Sequence, residues 1–234
     1  MSDKKYAPRD WTQQPPYLYP EYKSTTLRSP SKPLVALPET LSELPGPVYG
    51  AEVVDDLDDD LTKNAVVDGP PLGERIVVEG RVLDENDNPV PHTVMEIWQA
   101  NSTGRYVHTA DQHDAPLDPN FFGSGRCITD ENGCYRFTSI RPGCYPWLNH
   151  PKGFRPAHIH FSLFGPAFVT RLITQMYFPG DPLLALDPVF MAIPDAEARE
   201  RLIAKYSQDV TVQEWALGYE FDIILRGNNA TPME

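Results

Sequence analysis

The residues of this chain that are best suited to chemistry are two histidines in the stretch Arg155-Pro156-Ala157-His158-Ile159-His160-Phe161. Successive side chains of an extended strand point to opposite faces, so His158 and His160 leave one face while Ile159 and Phe161 leave the other. Imidazole is the commonest protein metal ligand, and two on one strand need only one or two further ligands to close a site. Paired histidines are also frequent as core or edge residues of a strand, so this motif alone leaves a metal site and a structural role equally open.

Two tyrosines occupy loops rich in glycine or proline, Gly104-Arg105-Tyr106 and Pro142-Gly143-Cys144-Tyr145-Pro146-Trp147. A tyrosine in such a loop is by itself more typical of an aromatic lid than of a metal ligand. Taken together with the histidine motif, however, these segments resemble the intradiol ring-cleaving dioxygenases. The resemblance runs from about Tyr22 to Arg226, and the histidine motif is its most specific part.

The resemblance implies a non-haem Fe(III) centre whose ligands are Tyr106, Tyr145, His158 and His160. This set is chemically consistent, because phenolate is a hard anion that suits Fe(III) far better than Zn(II) or Cu(I). A bound cation also removes the phenol proton despite a free pKa of about 10. The family further implies catalytic roles for Tyr145, as the ligand that substrate displaces, and for Arg155, which stabilises the electron-rich intermediate. It places the substrate pocket at Tyr22, Trp147, Gln175 and Val189.

Within the family the chain is most similar to the β chains of protocatechuate 3,4-dioxygenases. This implies cleavage of protocatechuate (3,4-dihydroxybenzoate) by O2 to 3-carboxy-cis,cis-muconate, with a homologous α chain as partner in a hetero-oligomer. The similarity includes Glu21-Tyr22-Lys23-Ser24 near the N-terminus and Asp118-Pro119-Asn120-Phe121 further on. Three residues depart from the family pattern and bear on the shape of the pocket: Cys144 stands where proline is usual, Phe154 where tryptophan is common and Phe122 where glycine is common.

Other functions remain as alternatives. A catechol or hydroxyquinol intradiol dioxygenase would use the same ligands, but catechol 1,2-dioxygenases carry a helical N-terminal domain where this chain is rich in proline. A non-catalytic β-sandwich subunit would lack the four ligands that are present here. A cupin-like Fe(II) or zinc enzyme would need a carboxylate ligand downstream of the histidine pair and no tyrosinates. For Arg155 the competing interpretation is a surface guanidinium paired with one of the 33 acidic residues.

Composition excludes several classes of partner. The 234 residues carry a net charge of -13, which argues against nucleic acid and anionic membrane, because both need a basic face. No segment approaches the roughly 20 apolar residues of a membrane span, and the N-terminus has no apolar signal region. The three cysteines, Cys127, Cys134 and Cys144, have no paired spacing, so they indicate reduced thiols and a cytoplasmic location.

Residues 1–72 are predicted to form an extended proline-rich arm that packs on the chain's own domain or on a partner, because proline breaks both helices and central strands. Its apolar anchors would be Trp11, Tyr17, Tyr19, Tyr22, Leu34, Val35, Leu37, Leu41 and Leu44. One helical turn is possible at residues 40–43. The acidic run 55–60 lacks the spacing and turn glycine of a calcium loop and is interpreted as a solvated loop.

From residue 73 to 234 we expect an all-β catalytic domain, an antiparallel β-sandwich with one short helix in its C-terminal half. Two hairpins are predicted: residues 75–83 with 93–99, and residues 126–129 with 134–140 around an Asn-Gly turn. Further strands are expected at residues 157–164, 171–178 and 219–225. The helix is predicted over residues 195–206, with Asp195 as its N-cap.

Overall fold

The structure is a computed structural model and describes residues 10–33, 54–65, 67–149, 153–164 and 171–233. Eleven strands and three short helices lie in these ranges. The helices are α1 (Thr25–Arg28), α2 (Pro188–Met191) and α3 (Ala196–Glu200). The strands are β1 (Arg75–Leu83), β2 (Val94–Gln99), β3 (Ser124–Ile128), β4 (Cys134–Ile140), β5 (Tyr145–Pro146), β6 (Phe154–Arg155), β7 (His158–Phe164), β8 (Leu172–Tyr177), β9 (Lys205–Tyr206), β10 (Leu217–Glu220) and β11 (Ile223–Ile224).

Two main sheets form the predicted β-sandwich. One sheet has the order β11-β1-β10-β9, with β4 also paired to β1, and the other has the order β3-β2-β7-β8. Strands β5 and β6 form a separate two-stranded ribbon. Most pairs are antiparallel, as expected, but β1 runs parallel to β10 and β11 because the chain returns to it from the opposite end of the sheet.

The core lies between the two sheets, and the predicted faces of the strands are confirmed. Ile159 and Phe161 of β7 are fully buried and pack with residues of both sheets. Phe161 contacts Phe137 of the opposite sheet, with ring centroids 5.9 Å apart. The histidines of β7 therefore project from the face opposite to this core.

The first predicted hairpin is wrong, because β1 and β2 belong to different sheets. The turn between them forms as its sequence suggests, with the Asp84 carboxylate accepting the backbone N–H of Asn86 at 2.8 Å and of Asn88 at 3.0 Å. Pairing with β1 stops at Val90, whose N–H donates to the Val82 carbonyl. Beyond it the chain crosses to the other sheet, so the turn opens an arch between sheets.

The second predicted hairpin, residues 126–129 with 134–140, is also wrong in its pairing. The Asn-Gly turn is present, with Gly133 at φ +71° and the Asp130 carboxylate accepting the N–H of Asn132 and of Cys134, both at 2.8 Å. However, β3 pairs with β2 and β4 pairs with β1. The same local turn chemistry therefore closes a second arch across the sandwich.

The predicted helix over residues 195–206 is shorter than expected and covers only α3. Asp195 is its N-cap, and its carboxylate accepts the Glu197 N–H at 2.8 Å. The helix ends because the following backbone pairs with the end of β8. The backbone N–H of Tyr177 donates to the Leu202 carbonyl, and the Tyr177 carbonyl accepts the Ala204 N–H. A second helix in this half, α2, was not predicted, although Asp187 followed by proline at the first helical position is a helix-start signal.

The described part of the arm lies on the chain's own domain. Gln13 and Gln14 are buried, with Gln14 accepting the Met233 N–H at 2.8 Å, whereas the predicted anchors Trp11 and Tyr17 are half exposed. Leu61 is fully buried in the core. The expected anchors from Leu34 to Leu44 and the possible turn at residues 40–43 lie outside the described residues. The division at residue 72 stays a prediction.

The acidic run joins both sheets instead of forming a wholly solvated loop. The Asp58 carbonyl accepts the Arg126 N–H of the strand β3, and the Asp59 carbonyl accepts the Thr138 N–H of β4. Asp60 pairs with Lys63 at 2.8 Å. In the part of the chain that the structure describes, no helix is long and apolar enough to cross a membrane.

Candidate metal centre

His158, the first of the two histidines of β7, is held as a neutral donor. His158 Nδ1 lies 2.8 Å from the Pro156 carbonyl, which can only accept, so Nδ1 carries the proton and Nε2 presents a lone pair. Burial, the Arg155 guanidinium and the imidazole of His160 all hold the pKa of His158 well below its ordinary range. A neutral imidazole with its outer nitrogen anchored is the form that binds a metal.

Trp98 fixes the second imidazole. It lies on β2 directly opposite His160, and the two rings stack with centroids 4.8 Å apart at an angle of 4°. Because β7 is paired on both sides, with β2 and with β8, neither histidine can shift without breaking a sheet. Trp98 was not predicted as a site residue. Its position in β2 was nevertheless a signal, because Trp98 shares a face of the strand with Glu96 and lies opposite to the face that carries Met95.

The two tyrosines come from loops that pack against each other through glycines. Asn101 organises the first loop: its side-chain oxygen accepts the Arg105 N–H at 2.9 Å, and its carbonyl accepts the Gly143 N–H of the second loop. A Cβ on Gly143 would lie 2.6 Å from the Gly104 nitrogen, and a Cβ on Gly104 would overlap the Cys144 carbonyl. Both positions therefore require glycine, for close approach of the backbones.

Asp111 holds the loop of Tyr106 from the other side. One of its carboxylate oxygens accepts the Tyr106 N–H at 2.8 Å and the other accepts the His113 N–H at 2.8 Å. The residue was not predicted, because nothing in its spacing from Tyr106 distinguishes it from other surface aspartates. Its effect is to fix the backbone from which Tyr106 projects.

The four predicted ligands converge on one point. His158 Nε2 and His160 Nε2 lie 3.2 Å apart, and the Tyr106 hydroxyl lies 3.5 Å from the first and 3.3 Å from the second. The Tyr145 hydroxyl lies 3.4 Å from His158 Nε2. Donors that share one ion at about 2.1 Å lie about 3.0–3.4 Å from one another, so this set fits a single metal ion.

The chemistry of the donors selects the kind of metal. Two phenols and two imidazoles form a hard, potentially dianionic set that fits a trivalent ion such as Fe(III). Burial raises the pKa of Tyr145, although the nearby Arg155 guanidinium opposes the shift. The phenol of Tyr145 is therefore protonated at neutral pH unless a cation ionises it.

Arg155 is buried beside this cluster rather than exposed. Its Nη1 lies 3.4 Å from His158 Nε2, and its side chain is 3% exposed. Nε and Nη2 bind the two carboxylate oxygens of Asp187 at 3.1 and 2.9 Å, and Nη2 also donates to Gln175 Oε1 at 2.6 Å. The surface interpretation of Arg155 does not hold, because its acidic partner is fully buried as well.

The residues predicted to line the substrate pocket form a connected set around Arg155. The Arg155 guanidinium lies over the Trp147 ring, 5.4 Å from its centroid, and that ring packs against Tyr22 of the arm at 4.8 Å. Gln175 contacts Arg155 directly, and its buried Nε2 has no hydrogen-bond acceptor among the described residues. Val189 is buried in α2, where its N–H donates to Asp187.

An open cavity of about 650 Å³ leads to the donor cluster. Tyr106, Tyr145 and His160 line it together with Trp98 and Trp147. Of the four predicted substrate contacts, therefore, Trp147 lines this cavity, and Tyr22, Gln175 and Val189 lie outside its lining. The remaining wall comes from residues that the sequence did not single out, namely His108, Ala110, Asp111, Gln112, His113, Asp114, Pro146, Leu148 and Asn149.

Comparison with known proteins identifies the family. A family model described as "Dioxygenase" matches residues 44–227, and one described as "Protocatechuate 3,4-dioxygenase beta subunit N terminal" matches residues 7–40. The chain belongs to the intradiol dioxygenase family. It is 63% identical to the protocatechuate 3,4-dioxygenase beta chain of Burkholderia cepacia over 97% of both chains. These matches confirm the family expected from the motifs.

More distant intradiol dioxygenases share the fold. The protocatechuate 3,4-dioxygenase alpha chain of Pseudomonas putida is 30% identical, over 85% of this chain and 97% of its own. The crystal structure of 3-chlorocatechol 1,2-dioxygenase from Rhodococcus opacus 1CP superposes with a TM-score of 0.56 at 20% identity, covering 76% of this chain and 69% of that one. The latter similarity supports the β-sandwich alone.

Two sequence alternatives can be compared with this site. A cupin-like centre would need a carboxylate beside the histidines, and no group of three or more His, Cys, Asp or Glu side chains suited to a metal lies among the described residues. The three departures from the family pattern, Cys144, Phe154 and Phe122, do not line the cavity. Their effect on the shape of the pocket is therefore indirect.

The glycine contact between the two tyrosine loops can be tested by Gly143→Ala. The added Cβ would force the loops apart and separate the two phenols, so we expect the metal bound per chain to fall several-fold, as measured by elemental analysis. Gly180→Ala is the control, because its added Cβ meets no atom within 4 Å although its φ is +75°. Full metal content in Gly143→Ala would show that the loops tolerate separation.

Proposed function

We propose that this chain is the iron-binding chain of an enzyme that cleaves protocatechuate with O2, between its two hydroxylated carbons, to 3-carboxy-cis,cis-muconate. The observation that carries the proposal is the convergence of two phenols and two imidazoles, in which both tyrosine hydroxyls and His160 Nε2 lie 3.2–3.5 Å from His158 Nε2. Substrate identity is taken from the relative that is 63% identical along nearly its whole length. The catechol and hydroxyquinol enzymes among the relatives are 30–36% identical over 48–76% of this chain.

Tyr106, Tyr145, His158 and His160 would hold the metal. Bound Fe(III) would supply a Lewis acid that binds a catechol as its dianion and makes the ring reactive toward O2. A catechol that binds as its dianion gives up two phenolic protons, one of them to a residue of this chain and the other to hydroxide from solvent. Tyr145 suits one of these, because burial raises its pKa and favours the protonated form once it leaves the metal. The open cavity beside Tyr106 and Trp147 admits the ring.

Arg155 would stabilise negative charge that develops on the ring. Its Nη1 reaches the donor cluster, and the site is buried, so a fixed positive charge there is stronger than it would be in water. Burial alone would lower the pKa of Arg155, but the neighbouring Tyr177 and Asp187 raise it, so the guanidinium stays charged. Gln175 Nε2, for which the described part of the chain offers no acceptor, would donate to an oxygen of the bound substrate.

A homologous α chain would complete the enzyme. The relatives include proteins named beta chain and alpha chain, and the second resembles this chain over 85% of its length. An apolar groove on the surface supports such a partner: it is lined by Phe154, Leu186 and Met191, of which Leu186 is 65% exposed. The three free thiols and the acidic charge agree with a cytoplasmic location.

The function is tested by optical spectra and oxygen uptake on the purified complex. Two tyrosinates on Fe(III) should give a red-brown phenolate-to-metal absorption band, and protocatechuate added without O2 should shift that band. Admission of O2 should then consume one O2 per substrate. A colourless protein with stoichiometric zinc would overturn the metal assignment, and faster turnover of catechol or hydroxyquinol would overturn the substrate.

The two tyrosines should respond differently to substitution by phenylalanine. The Tyr106 hydroxyl lies within 3.5 Å of both imidazole Nε2 atoms, whereas Tyr145 is the proposed leaving ligand. Tyr145→Phe should keep most of its iron and bind substrate while kcat falls by about 10²-fold, within the range of general-base losses. Tyr106→Phe should lose iron more severely. Equal iron loss in both variants, by elemental analysis, would contradict the assigned roles.

Expression of this chain alone should give poorly soluble or nearly inactive protein, and co-expression with an α-type chain should give a symmetric hetero-oligomer active on protocatechuate well above catechol. Leu186→Glu should weaken that association, because it places a charge in the apolar groove. Val67→Glu, at a position that is 79% exposed, is the control. Light scattering and oxygen uptake decide the matter: a fully active homo-oligomer would point to a catechol-type enzyme.

A further inference from the structure

The buried guanidinium of Arg155 is held through Nε and Nη2 by a cluster that we call the clamp, consisting of Asp187, Tyr177 and Gln175. The exposed fraction of these three residues is 0–2%. Asp187 accepts from Nε and Nη2, while Tyr177 and Gln175 accept from Nη2 at 2.9 and 2.6 Å. The clamp is closed within itself, because the Tyr177 hydroxyl also lies 3.0 Å from Asp187 Oδ2.

The geometry points to Asp187 as a positioning residue for the reaction, one that acts on the substrate only through Arg155. The two-point contact with Asp187 fixes the plane and the rotation of the guanidinium, because a carboxylate binds two adjacent N–H edges in one geometry only. With Nε and Nη2 occupied in this way, Nη1 is the nitrogen turned toward His158 and the donor cluster. Asp187 thereby selects which edge of Arg155 faces the substrate.

Asp187 is itself fixed by the backbone. It is the N-cap of α2, and its Oδ1 accepts the Val189 N–H at 3.4 Å as well as the Arg155 Nε–H at 3.1 Å. A four-residue helix has little stability of its own, so its start depends on this cap. The same carboxylate therefore sets the direction of the catalytic guanidinium and the place of Val189.

A carboxylate is required here rather than any acceptor. Arg155 and Asp187 are both buried, and a buried guanidinium without a counter-charge is far more costly than a paired one. An amide in place of the carboxylate keeps the shape and one acceptor oxygen but loses the charge and the second acceptor. Asp187→Asn is therefore the smallest change that loosens the guanidinium.

The test uses the iron-loaded complex with its partner, and it rests on the function proposed above. Asp187→Asn should lower kcat by about 10- to 100-fold, the range expected when a catalytic group is misplaced by about 1 Å. KM, iron content and the visible band of the metal should change little, because Asp187 contacts none of the four metal ligands. A crystal structure of the variant should show Arg155 Nη1 displaced from His158.

A double-mutant cycle separates positioning from structural support. In an Arg155→Leu background, Asp187→Asn should cost no more than about twofold further in kcat, because its effect passes through the guanidinium. If Asp187→Asn also lowered kcat by its full 10- to 100-fold in that background, the inference would be overturned. A wild-type kcat in Asp187→Asn alone would do the same. Arg155→Leu with wild-type kcat would instead overturn the proposed catalytic role of Arg155 itself.

Matched variants control for folding. Asp195→Asn weakens the cap of another short helix, α3, whose Asp195 carboxylate accepts the Glu197 N–H at 2.8 Å, and it should leave kcat unchanged. Should Asp187→Asn fail to fold, Tyr177→Phe removes one hydroxyl of the clamp and keeps the buried ring. It should lower kcat by a smaller factor that disappears in the Arg155→Leu background, and persistence of that factor there would count against the clamp.

Discussion

Alternation of side chains along β7 is the constraint on which the rest of the site depends. One face of the strand supplies Ile159 and Phe161, which are fully buried in the sandwich core, and the other supplies both histidines. A shift of one residue in register would exchange the two faces, which would expose the core and bury the donors within it. The stability of the core therefore fixes the position of His158 and His160 without any contribution from a metal. Because His158 and His160 are already in place, less conformational entropy is lost when the remaining donors assemble around them.

The buried ion pair of Arg155 and Asp187 is better explained by the site than by the fold. A buried pair seldom adds stability compared with apolar residues of the same volume, because both charges must leave water. Here the pair lies beside a cluster of donors that becomes anionic when a metal ionises the tyrosines. Because the Asp187 carboxylate lies on the side of the guanidinium away from the cluster, the pair places positive charge nearer to the cluster. The pair adds no net charge to the site.

The sequence predicted those features that local chemistry decides. The period of two along β7, the cap at Asp195 and the turns at residues 84–89 and 130–133 all form. The pairing of the strands beside those turns was wrong, because an aspartate turn closes a hairpin and an arch with the same hydrogen bonds. The choice between them depends on packing with distant strands. Asp187 was missed for a similar reason, because its role depends on its contact with Arg155, which is 32 positions away along the chain.

The arches that the sequence failed to predict are what bring the ligands together. Because β2 and β4 lie in different sheets, the loops that follow them meet across one end of the sandwich, where the Gly143 N–H donates to the Asn101 carbonyl. Gln99, at the end of β2, ties the two strand ends: its Nε2 donates to the Ile140 carbonyl at 2.7 Å and its Oε1 accepts from Ser139 at 2.6 Å. A few residues further on, the two loops carry Tyr106 and Tyr145 over the histidines. The chain's crossings between the two sheets therefore place both tyrosine loops at the same end of the sandwich, over the histidine pair of β7.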